Sequence, residues 1–208
     1  MKRGRNVDGK SRRLEVITGC MFSGKTEELI RRLERVRIAK GNVLLLKATI
    51  DDRYGTNTVM THYGRAFDAH LLEPGFETID SIITAVGRER LDEANVVAFD
   101  EGNFFSEKLP ELCEELVALD KRVIVAGLDL TFAGEPFGPM PRLMALADQV
   151  DKLHAVCVKC GESATRSQRL IDGHPAPTDG PVIQVGGSES YEARCRGCYE
   201  ANRESTLV

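Results

Sequence analysis

One octapeptide limits the folds open to this chain more than any other feature. Gly19-Cys20-Met21-Phe22-Ser23-Gly24-Lys25-Thr26 fits the pattern G-x-x-x-x-G-K-[ST], and it joins two segments of different periodicity. Before it, Leu14 to Thr18 is short and rich in β-branched residues. After it, from Lys25 to Lys40, Leu29, Ile30, Leu33 and Val36 recur at helical spacing, opposite Arg31, Arg32, Arg35 and Arg37, with Ile38 off the apolar stripe. A strand that runs through a glycine-rich turn into a helix lets backbone N–H groups and the positive helix end enclose phosphate oxygens. In that arrangement Lys25 reaches the β and γ phosphates of ATP, and the Thr26 hydroxyl ligates Mg²⁺. The competing reading is a plain strand-to-helix turn that binds no nucleotide.

The rest of the chain repeats the strand and helix alternation. Gly41 and Asn42 punctuate the helix before the strand-like run Val43 to Leu46. Val96 to Phe99 and Val123 to Ala126 are short, nearly continuous apolar runs, as expected of parallel strands covered on both faces. Helices are expected over Thr78 to Arg90 and Glu111 to Leu119, which gives β-α-β order and the α/β class. Thr49 to Arg65 and Asp172 to Gly187 read as long loops, of a length that is often functional. Val96-Val97-Ala98-Phe99-Asp100-Glu101 is an apolar run ending in two acids. Beside a phosphate loop, Asp100 is expected to hold Mg²⁺ through water and Glu101 to face the phosphoryl acceptor. Alone, such a run is commonplace.

Cys157-x-x-Cys160 and Cys195-x-x-Cys198 supply four thiolates, and each pair can wrap one edge of a tetrahedral Zn²⁺. Four thiolates leave no coordination position for a substrate, so the metal is expected to be structural and to clamp the base of the long loop between the pairs. Four free cysteines or a redox pair form the competing reading. The phosphate loop lies far away along the chain, so ATP binding is expected to persist when the metal is lost.

The 208 residues fit one compact domain with a modest appendage. A net charge of -4 gives no overall attraction to nucleic acid, and no apolar window is long enough for a membrane span. The basic start MKRGRNVDGKSRR has no apolar region after it, so a solvated arm and a cytoplasmic protein are expected.

MFSGKTEEL, IDDRY, FDEGNFF, GLDLTFAGEPFGPMPRL, QRLIDG and the CVKC and CRGCY pairs together resemble the zinc-containing thymidine kinases, from Leu14 to Tyr199. The resemblance implies a Rossmann-like P-loop α/β core with a largely parallel sheet plus a small zinc-binding lasso domain. The expected division is a flexible basic arm over 1–13, an ATP-binding domain over 14–152 and a zinc-binding lasso domain over 153–208. It implies transfer of the γ-phosphoryl of ATP to the 5′-hydroxyl of thymidine or deoxyuridine, with Glu101 as catalytic base and Asp100 as the magnesium-linked acid. Gly102 and Asn103 match the ATP and magnesium side of the family site, and Asp51 and Arg53 match positions around the phosphates and the sugar. Met21, Phe104, Leu128, Phe132, Ser167 and Tyr191 match the thymine pocket. Val182, Ile183, Gln184, Val185 and Gly186 match the lasso backbone that bonds the base. The family also implies a homotetramer and feedback by thymidine triphosphate. Cys20 stands where proline is common, Asn103 where glutamine is common and Ser167 where threonine is expected. On their own, Phe104, Phe105 and Phe132 are more often core aromatics than ligand contacts, and Tyr191 could brace the metal site. A nucleic-acid-dependent ATPase with a zinc docking module and a nucleotide-gated binding protein without turnover are the competing functions.

Overall fold

The computed structural model describes residues 12–49, 58–60, 66–178 and 191–201. The chain opens with β1 (Arg13–Gly19), α1 (Lys25–Ile38) and β2 (Val43–Ala48), followed by three short strands, β3 (Thr58–Met60), β4 (Ala66–Asp68) and β5 (His70–Leu72). Next come α2 (Ile79–Val86), α3 (Arg88–Glu93), β6 (Val96–Asp100), one 3-10 turn (Gly102–Phe104), α4 (Leu109–Ala118) and β7 (Arg122–Gly127). After α5 (Met140–Leu146) and β8 (Gln149–Leu153), the C-terminal part has β9 (Ala155–Val156), β10 (Ser163–Ala164), β11 (Arg166–Ile171), β12 (His174–Pro175) and β13 (Tyr191–Arg194).

Six strands form one sheet in the order β5–β2–β6–β7–β1–β8, and every pairing in it is parallel. Alternation within each strand builds two cores. Val97 and Phe99 of β6 and Val123 and Val125 of β7 face α2 to α5, where Ile82, Leu91, Leu112, Leu116 and Leu143 pack. Val96, Ala98, Ile124 and Ala126 face α1 and meet its Leu29, Ile30, Leu33 and Val36. A strand covered on both sides must be apolar at consecutive positions, which is why these runs carry no polar alternation. Ile38, off the stripe, is 82% exposed.

The expected helix over Thr78 to Arg90 is two helices. Thr78 and Ser81 form a capping box at the start of α2, and Gly87, at φ 88°, ends it and turns the chain into α3. The polar stretch read as a loop over Thr49 to Arg65 contains β3, which pairs with β4, and the loop over Asp172 to Gly187 contains β12, which pairs with β11. The sheet strands β5 and β8 and the helix α5 were not expected; β8 is half exposed at the sheet edge and lacks the apolar signature of the central strands.

At the N-terminal edge of the sheet, buried Glu15 accepts hydrogen bonds from Arg122 at 2.6 and 2.9 Å and from Arg32 at 2.8 Å, and it pairs with Arg13. Burial alone would push the Glu15 carboxyl up, but Arg122 and Arg13 outweigh it and hold it below its ordinary value. Arg32 also bonds Asp151 at 2.7 Å and Glu28 at 2.8 Å, so α1, β1, β7 and β8 share one ionic network. Replacing Glu15 with Ala strands these guanidinium groups, and chemical denaturation should read a loss of about 3 kcal/mol. Glu28 adds an acid limit, because Arg31, helped by Arg32 against the opposing effect of burial, lowers its carboxyl to about 2. Its contribution is complete above the ordinary value of 4.5 and is lost as pH falls through about 2. Melting temperatures of Glu28→Gln and parent should therefore converge as pH falls from 5 toward 2.

Candidate active site and metal centre

Parallel pairing brings the C-terminal ends of β1, β6 and β7 to one edge, the edge where ligands of open α/β sheets bind. The Thr18 hydroxyl donates to Gly127 O at 2.9 Å and locks the ends of β1 and β7 together. The loop after β1 turns at Gly19 (φ 142°) and enters α1 through Gly24 (φ 82°). At Gly19 a Cβ would lie 2.3 Å from Leu153 O and 2.8 Å from Ser23 Oγ, so only glycine fits. Lys25 Nζ folds back over the loop and donates to Cys20 O at 2.9 Å. Ser23 Oγ is buried without a hydrogen-bond partner among the described residues, as a polar atom facing a ligand oxygen would be. Phe22 is exposed at the loop's apex with φ 66°.

β6 delivers its two acids beside this loop. Thr26 Oγ1 stands 3.5 Å from Asp100 Oδ1, which places two hard oxygen donors together, a set suited to Mg²⁺. Glu101 follows in the left-handed region (φ 51°, ψ 46°), an uncommon conformation for a side chain of this kind. The 3-10 turn after it needs Gly102, where a Cβ would meet Val125 Cγ1 at 2.5 Å. Asn103 Oδ1 accepts from Leu128 N at 2.8 Å, while its buried Nδ2 has no partner, so Asn103 braces the turn against the end of β7. Sequence reasoning missed Lys47. It is buried, lies in register with Asp100 on the neighbouring strand and points to the α1 side, as strand alternation requires.

Phe132, Tyr191 and Ala176 form a separate buried cluster against which Met21 and Ala133 pack. Met21, Phe132 and Tyr191, residues from three distant segments, are thus brought together. Arg169, also missed, lies 4.9 Å over the Phe132 ring, and Tyr199 Oη donates to Phe132 O at 2.5 Å. Ser167, on β11, accepts from Met21 N at 3.0 Å. Phe104 instead packs edge-on against Phe137 at 5.9 Å and against the main core, and Phe105 lies wholly in that core. Asp51, Arg53 and Val182 to Gly186 fall outside the described residues.

The Sγ atoms of Cys157, Cys160, Cys195 and Cys198 all lie within 4.8 Å of one another, and those of Cys160 and Cys195 are 3.7 Å apart. Tetrahedral zinc with Zn–S of about 2.3 Å needs sulfur separations of about 3.8 Å, so the four residues fit the ion. A backbone hydrogen bond from Cys195, joined by others from Lys159 and Cys160, draws the Cys157 thiol down to about 6, while hydrogen bonds to Cys160 and Cys195 push Cys198 up to about 12. Four sulfurs in so small a volume can all ionise only when a cation compensates them. Each pair is a tight turn, with Gly161 N donating to Cys157 O and Tyr199 N donating to Cys195 O. Metal analysis should find about one zinc per chain. Cys195→Ser should lose it and open the C-terminal part to protease, because the turn that carries Tyr199, which supports Phe132, is built on the ligands.

The family model for thymidine kinase matches residues 12–199. The chain is 52% identical over 191 residues to the thymidine kinase of Halobacterium salinarum, covering 92% of this chain and 95% of that one. It is 53% identical over 187 residues to the thymidine kinase of Coprothermobacter proteolyticus (90% of each). With that of Haloquadratum walsbyi it shares 44% over 216 aligned positions (92% and 96%). On the family match and these identities, the chain belongs to the thymidine kinase family.

Proposed function

We propose that this chain is an ATP-dependent thymidine kinase, which moves the γ-phosphoryl group of ATP to the 5′-hydroxyl of thymidine or deoxyuridine. The observation that carries the reading is the meeting of the glycine-rich loop with the acids of β6, marked by the approach of Thr26 Oγ1 to Asp100 at 3.5 Å. Gly19 to Gly24 would offer backbone N–H groups to the phosphates, and Lys25 would exchange its bond to Cys20 O for the β and γ oxygens. Thr26 and Asp100 would hold Mg²⁺, which when bound neutralises phosphate charge; Gly102 and Asn103 shape the same wall, and Asp51 and Arg53 complete it on the family pattern.

Glu101 takes the proton of the 5′-hydroxyl. The freed oxygen bonds the γ phosphorus as the bond to the β–γ bridging oxygen breaks, and ADP leaves with that oxygen. Little covalent work falls to the protein in such a transfer, so positioning and charge supply most of the acceleration. Met21, Phe132, Tyr191, Leu128 and Ser167 would line the thymine side, with Val182 to Gly186 covering the base. Phe104 belongs to this pocket only through its neighbours, since it packs toward the core.

The division at 14–152 and 153–208, the structural role of zinc, a homotetramer and feedback by thymidine triphosphate belong to the same reading and draw on the family. The six cysteines are all free, which suits a cytoplasmic setting. Among the described residues no helix is long and apolar enough to cross a membrane.

Radiolabelled ATP tests the reading against a nucleoside panel. Thymidine and deoxyuridine should be phosphorylated and purine nucleosides should not; a comparable kcat/KM for deoxyguanosine would sink it. Glu101→Gln keeps the size of the side chain but not the proton acceptor, so kcat should fall about 10²-fold or more with ATP affinity little changed. A kcat within about threefold of the parent would remove Glu101 from the role of base.

A further inference from the structure

Three consecutive residues of the glycine-rich loop are held by the chain that leads into and forms the metal centre. Gly19 is pressed against the carbonyl of Leu153, the last residue of β8, which only His154 separates from β9. Cys20 Sγ donates to Ala164 O on β10 at 3.4 Å. Its side chain is buried with Ala155, Cys157, Ala164 and Ala193, against which Cys195 and Cys198 pack. Met21 N donates to the buried Ser167 Oγ on β11 at 3.0 Å. Cys20 also carries the carbonyl that receives Lys25 Nζ at 2.9 Å, so the residue anchored through its sulfur in turn holds the lysine. The separation along the sequence that predicted independence of ATP binding from the metal is therefore closed in space.

We infer that the four-cysteine centre positions the phosphate-donor loop, through Cys20 and Ser167 as positioning residues. This rests on the reading above that the loop binds the phosphates of ATP. The metal fixes the two cysteine turns, and through them β9, β10, β11 and β13. Ala164 O and Ser167 Oγ then fix two adjacent residues of a loop whose N–H groups must converge on one anion. A glycine-rich loop ordered before it binds forfeits less conformational entropy on binding, so the tethers contribute to ATP affinity without touching ATP. Ser167 thereby acts on both substrates: its hydroxyl serves the donor loop while its position borders the cluster of Met21, Phe132 and Tyr191.

The test is calorimetric binding of a magnesium complex of a non-hydrolysable ATP analogue to the full chain, without thymidine, beside the KM for ATP at saturating thymidine. Ser167→Ala and Cys20→Ala should each weaken analogue binding and raise the KM for ATP about five- to tenfold. Ser167→Thr, which keeps the hydroxyl, should bind within about twofold of the parent. Removing zinc from the parent should weaken analogue binding similarly, whereas removing it from the Cys20→Ala, Ser167→Ala double variant should add little, since the path is already cut. Equal losses on zinc removal in parent and double variant, or Ser167→Ala and Cys20→Ala proteins that bind the analogue as the parent does, would overturn the inference. Lys25→Met separates the two levels. If it too binds the analogue normally, the phosphate-loop reading itself has failed; if it does not, only the tether has.

Discussion

The parallel pairing of β1 between β7 and β8 is the constraint from which the site follows. Because these strands run the same way as β6, all their C-terminal ends open onto one edge. The glycine loop, the Asp100 and Glu101 corner and the Gly127 end of β7 therefore meet there. Thr18 fastens this edge, and the Glu15, Arg122 and Arg32 network fastens the other. The sheet thus separates its chemistry from its strongest charge pairing by the length of a strand. Removing the pairing would leave each motif intact in sequence and scattered in space.

Much of this was legible in the sequence because the relevant signals are local. The α1 stripe of Leu29, Ile30, Leu33 and Val36 is buried as its spacing requires, and the central strands are the continuous apolar runs. The C-x-x-C pairs converge, since each pair is a self-contained turn that needs only one partner. What was not legible depends on tertiary context. β8 is half exposed and β5 has three residues, so neither carries a period long enough to read. The helix over Thr78 to Arg90 failed at Gly87, where one positive φ outweighed a favourable apolar pattern. Lys47 and Arg169 had no motif to announce them; the first is set by strand register and the second by stacking across strands. The packing of the Phe104 ring on Phe137 and the core likewise had no local signal.

The C-terminal part has too little apolar area for a core of its own. Its described strands are two to six residues long, and the cluster around Cys157 consists mostly of alanine and cysteine side chains. Small units of this kind rely on a metal in place of buried hydrocarbon. Here the cluster also takes in Cys20 from the other part of the chain, so the surface covering the sulfurs and the surface supporting the glycine loop are one.

Burial decides how the thiols differ. Burial pushes the Cys20 thiol above its ordinary value, and the fully enclosed Cys113 is raised further still. Both stay protonated at neutral pH and are poor nucleophiles. Cys160, by contrast, is exposed. An electrophile or oxidant therefore meets Cys160 before it meets the thiol in the glycine loop, even though that loop carries a cysteine at its second position. Modification by a thiol reagent therefore reports on Cys160 before it reports on the sulfur of the glycine loop.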